Sequence, residues 1–132
     1  MTDDELMTTF EDDTIAPAAF SHERHVRVAW LLARRYGPDD GFTRLVRGIK
    51  SMAVRAGKPN AFHLTLTRAW FDLIALVEDT DAAPELLDKS IIKRFYSPER
   101  IAEGRAQWLE PDLHPLQYPL PVVDDSAAAS ER

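Results

Sequence analysis

Apolar residues recur through the middle of this chain at the spacing of helices that each bury one face. Between about Ser21 and Tyr36, at roughly 100° per residue, His22, His25, Val26, Ala29, Leu32, Ala33 and Tyr36 share one stripe. Glu23, Arg24, Arg27, Arg34 and Arg35 fall off it, so both histidines point toward the expected core and Glu23 away from them. Ser21 is placed to cap this helix and Gly37-Pro38 to stop it. A second helix is expected from about Asp40 to Ala56, ended by Gly57 with Pro59 beyond. Its stripe of Phe42, Leu45, Val46, Ile49, Met52, Ala53 and Ala56 carries no polar group and marks a packing element. A third begins near Asn60 and continues to about Glu78, with Phe62, Leu66, Ala69, Leu73, Leu76 and Val77 down its middle. His63, Thr67, Trp70 and Ile74 share one edge of that face, whose breadth predicts packing against two neighbours, a second copy of the chain among them.

A shorter apolar segment follows from roughly Pro84 to Phe95. Ser97-Pro98-Glu99-Arg100 then has the order of a helix start, leading a brief helix to about Trp108. Prolines at 111, 115, 119 and 121 forbid a regular helix beyond it. Leu113, Leu116, Tyr118 and Leu120 alternate there, as an extended strap across the domain would require, though a proline-rich linker has the same composition. No strand alternation or hairpin dipeptide competes. The expected fold is all-α: a small bundle of three long helices plus one or two short helices, with an extended proline-rich C-terminal segment.

Charge divides the chain further. Residues 1–14 carry six acids and no base, residues 110–132 five acids and one base, and residues 15–109 a net +4, within an overall charge of −6. The expected division is an acidic, disordered tail over 1–14 and a helical domain over 15–109. A proline-rich segment docked on it spans 110–121, and a flexible tail covers 122–132. The basic residues recur on outer helix faces without interleaved aromatics, so no nucleic-acid partner is expected. No apolar run approaches the roughly 20 residues that cross a bilayer, so no membrane partner is expected either. The N-terminus is acidic where a secretory signal is basic and then apolar, which predicts a cytoplasmic protein. The absence of cysteine excludes disulfides, thiolate ligands and a cysteine nucleophile.

The chemistry on offer lies in three histidines. His22 and His25 are one helical turn apart, and His63 opens another amphipathic segment. Imidazole binds zinc, copper and iron, and three ligands with an open fourth position are the usual catalytic zinc arrangement. A divalent transition metal on His22, His25 and His63, acting on a small-molecule substrate, is therefore the leading expectation. Trp30, Tyr36, Thr67 and Trp70 would line the pocket, and Thr67, Asp72, Tyr36 or Tyr96 would complete or orient the shell. His22-x-x-His25 lacks the spacing and internal base of a zincin. A metal-free pocket with histidine as acid or base, structural histidines, and a non-enzymatic interaction module all stay open.

Phe20-Ser-His-Glu-Arg-His25 with Ala29-Trp30-Leu31-Leu32, Phe62-His-Leu-Thr-Leu-Thr-Arg-Ala-Trp70, Tyr96-Ser-Pro-Glu-Arg100 and Trp108-Leu-Glu-Pro-Asp-Leu-His-Pro115 form a set. Together they resemble a small, largely uncharacterised bacterial family of all-helical proteins. The resemblance spans roughly residues 20 to 116 and implies that His22, His25 and His63 act together. It also implies that the Glu-Pro-Asp-Leu stretch is docked, with Asp112 near the pocket. The chain departs from the pattern at Phe62, where the family has Tyr, and at Leu64, where it has Glu, which puts any chemistry assisted by that carboxylate in doubt.

Overall fold

A computed structural model describes residues 1–122. Every regular element among them is helical: α1 (Asp3–Glu11), α2 (His22–Arg55), α3 (Leu64–Ala75) and α4 (Pro98–Glu103), joined by short 3-10 turns. No helix among the described residues is long and apolar enough to cross a membrane.

The first two expected helices run into one another as α2, but not as a straight rod. Gly37, at φ 82° and ψ −177°, breaks the helical dihedrals and divides α2 into two arms. Residues with a Cβ rarely adopt that φ, and the extended ψ suits the proline that follows. Val26, Val28, Ala29 and Leu32 are buried on the first arm, Leu45 and Met52 on the second.

The acidic N-terminus is not the loose tail that its composition predicts. It forms α1, capped by the Thr2 side chain, which accepts from the Glu5 N–H at 3.1 Å. Its three first-turn acids sit at the positive end of the helix, where negative charge is favoured. Leu6, Met7 and Phe10 are buried beneath it. Arg27 on the first arm binds Asp3 at 2.9 Å, and Arg47 on the second reaches the Glu11 carbonyl at 2.9 Å and Asp13 at 3.2 Å. The helix is thus tied to both arms.

The third expected helix is shorter than its pattern. Asn60 lies in a 3-10 turn, Pro59–Ala61, and His63 is the N-cap of α3, which ends at Ala75. Its buried set is rotated toward Thr65, Thr67, Ala69, Trp70, Phe71, Leu73 and Ile74, leaving Leu76 53% exposed. That set is covered within the chain. The shorter apolar segment forms two 3-10 turns, Pro84–Leu87 and Lys89–Arg94, that bury Leu86, Ile91 and Ile92.

The proline-rich run is a docked strap. The Leu113 N–H donates to the Phe95 carbonyl at 3.0 Å, Arg94 to the Pro121 carbonyl at 3.2 Å, and the Tyr118 hydroxyl to Glu85. Leu116, Tyr118 and Leu120 pack against the core, whereas Leu113 stays exposed. Of the expected C-terminal tail, Val122 is exposed and residues 123–132 lie outside the described residues.

α1 and α2 approach closely at Gly48, where an added Cβ would overlap the buried Phe10 ring. Gly48→Ala should therefore lower stability by about 1–3 kcal/mol despite its better helix propensity. Denaturant titration measures this, and an unchanged or raised midpoint would show that α1 is not packed as described.

Candidate functional site

The start of α2 positions His22 and His25. The Ser21 hydroxyl accepts from the Arg24 N–H at 3.3 Å, and Phe20, the residue before the cap, packs on His25 with ring centroids 5.8 Å apart. This is the geometry of a hydrophobic staple, with an imidazole in the place usually held by an apolar side chain. The His22 Nε2–H donates to the Leu86 carbonyl at 2.9 Å, and its ring meets Trp70 edge-on at 4.8 Å. The two histidine rings stand perpendicular, 6.1 Å between centroids.

His63 is engaged elsewhere. Its Nδ1 accepts from the Leu66 N–H at 3.1 Å, and its Nε2–H donates to the Ile101 carbonyl at 2.7 Å. Both ring nitrogens are spent on the backbone, capping α3 and fastening α4 to it. The carbonyls of Gly104 and Arg105 accept from the Thr65 and Leu64 N–H groups, completing that helix start.

The expected three-histidine metal site is therefore not built. One nitrogen of His22 and both of His63 are committed, and no group of three or more His, Asp or Glu side chains among the described residues could hold an ion. The expectation of zinc, copper or iron as cofactor falls with it. Trp30, expected to line the pocket, instead donates its Nε1–H to the Val77 carbonyl at 3.1 Å between the guanidinium groups of Arg27 and Arg34. Tyr36 lies under Arg44, 3.8 Å from its ring centroid, and the Thr67 hydroxyl donates to the His63 carbonyl at 2.6 Å. Trp70 alone of the four comes near the histidine pair, through His22. Asp72 faces Arg68 beside Pro38 and Phe42, and burial holds its carboxyl above the ordinary value. The Tyr96 hydroxyl donates to the Leu109 carbonyl at 2.8 Å. Asp112 accepts from the Ser97 N–H and hydroxyl at the start of α4 and is absent from the residues around His22 and His25.

What the structure does bring to the histidine pair is an apolar groove of about 350 Å³. Pro17, Phe20, His22 and His25 form one side, Ile49, Met52, Ala53 and Ala56 of the second α2 arm another, and Lys58, Ala61, Phe62 and Lys89 the rim. The Nε2 of His25 is sealed from solvent and has no hydrogen-bond partner. Burial, with His22 and Lys89 as positive neighbours, pushes this imidazole down to about 4, so it is neutral at pH 7. His22 is also lowered, chiefly by burial, against the opposing hydrogen bond to Leu86. Periodicity found both histidines but not Lys58 and Lys89, which lie between helices where no period operates. Phe20 beside a capping serine was the one signal in the sequence for a ring stacked on His25.

No protein-family model matches the chain, and no curated protein or solved structure is significantly similar to it.

Two predictions follow the histidines. His25 takes up a proton near pH 6.5 when unfolded and near 4 when folded, so between those values the unfolded state binds more protons. The stability that depends on neutral His25 should be complete above pH 6.5 and lost as pH falls toward 4, on the order of 3 kcal/mol. Denaturation midpoints across that range should slope less in His25→Gln, and parallel curves would exclude His25 as the cause. His63→Ala should destabilise by about 1 kcal/mol or more, with His63→Asn recovering part because it can still cap α3. Equal losses in both variants would argue against the capping role.

Proposed function

We propose that the protein binds a small, largely apolar molecule, without metal, in the groove between the two arms of α2. The observation that carries this reading is the groove itself, a concave surface in which Phe20, Ile49, Met52, Ala53 and Phe62 stand beside His22 and His25. A ligand seated there displaces water from Phe20, Ile49, Met52 and Phe62 while its polar end stays among the histidines and lysines of the lining. The groove's volume lies within the range of small-molecule sites, roughly 300–1,000 Å³. His25 is neutral here, and its depressed proton affinity makes it a weak base at pH 7.

Octanol titrated into chelator-treated protein should shift the methyl resonances of Ile49 and Met52 and the ring resonances of Phe62 saturably. Ala53→Trp, which fills the groove, should abolish the response while the protein stays folded. Absence of a saturable response in the parent, or its survival in Ala53→Trp, would overturn the reading.

A further inference from the structure

We infer that the groove's ligand is a carboxylate with an apolar body of the octanoate type, its anionic head held by the lysines that line the groove. The inference rests on the binding reading above and specifies the ligand's charge. Three features of the molecule carry it.

The first is the sign of the lining. The chain has a net charge of −6, yet the groove is lined by two lysines, two histidines and no aspartate or glutamate. The larger hollow on the other side of the first α2 arm does not share this asymmetry. There Asp3, Glu23 and Asp81 stand among Arg24 and Arg27.

The second is that these cations are not otherwise spent. Among the described residues neither Lys58 nor Lys89 takes part in an ion pair, whereas Arg27, Arg44, Arg47 and Arg68 each face a carboxylate within 4 Å. The nearest acid in sequence, Asp88, folds back to accept from the Ser90 N–H at 2.9 Å and hydroxyl at 2.7 Å. A third cation adds to the local field, the Lys50 ammonium lying 5.0 Å from the centroid of the Phe62 ring.

The third is the placing of polar and apolar groups. His22, His25, Lys58 and Lys89 supply the polar part of the lining. Ile49, Met52, Ala53 and Phe62 supply the apolar remainder. A carboxylate in the groove accepts from a lysine ammonium, while its chain displaces water from the apolar wall. An alcohol of the same length keeps the apolar contacts and one hydrogen bond but gains nothing from the lysines. An alkylammonium ion is opposed by them.

Calorimetric titration of the full chain with octanoate, octanol and octylammonium at low ionic strength tests the assignment. Octanoate should bind about fivefold more tightly than octanol, the scale of an exposed ion pair near 1 kcal/mol, and octylammonium most weakly. In a Lys58→Met/Lys89→Met variant that preference should vanish while octanol affinity is retained, which also shows that the groove is intact. Octanol binding as well as octanoate would overturn the carboxylate assignment and leave the binding reading standing. A preference for octanoate that survives loss of both lysines would also overturn it, because the head would then sit elsewhere. Failure of all three ligands to bind would sink both readings.

Discussion

The break at Gly37 is the constraint on which the site depends. His25 and Ile49 are 24 residues apart within one continuous helical assignment, a separation of about 36 Å along a straight helix. They nevertheless line one groove of about 350 Å³. This requires the second arm of α2 to return alongside the first, and the positive φ at Gly37 followed by Pro38 provides the turn. The same return lets the nine residues of α1 touch both arms, through Arg27 at one end and Arg47 and Gly48 at the other.

A second requirement, satisfaction of the first N–H groups of α3, organises the other half of the molecule. The His63 ring and the carbonyls of Gly104 and Arg105 meet it, and Thr65 extends the clamp by donating to Gln107 at 2.5 Å and accepting from Leu109 at 3.1 Å. Tyr96, Ser97 and Arg100 then fasten residues 109–112. Several side chains capable of chemistry serve instead as backbone fasteners. His63, Thr67 and Asp112 sit where a helix end or loop would otherwise leave polar groups unpaired. The histidine pair at the start of α2 differs, because one of its nitrogens has no such duty.

The helical class, the caps at Ser21 and Ser97 and the stop at Gly37-Pro38 were legible in the residues alone. Each of these is local, fixed by 3.6-residue periodicity or by capping chemistry within a few residues. The strap was legible only in part: Leu116, Tyr118 and Leu120 pack against the core, Leu113 of the same pattern is exposed, and a linker fitted the composition equally well. Local composition misled at α1, where Leu6, Met7 and Phe10 are too few to stand out among acids yet suffice to bury one face of a short helix. It misled again at α3, whose N-cap is a histidine and whose buried face includes Thr65 and Thr67.

Only the tertiary structure decided which histidines meet. His22 and His25 share a groove because they share a helix turn. His63 is diverted because the start of α3 has to be capped and Ile101 offers a carbonyl at 2.7 Å. Lys58, Lys89 and Phe62 join the site from connecting segments, whose positions follow from the docking of helices and from no periodicity of their own. Side-chain type limits what a residue can do. Which partner reaches it first is a property of the folded chain, and here backbone carbonyls and amides reached His63 before any ligand could.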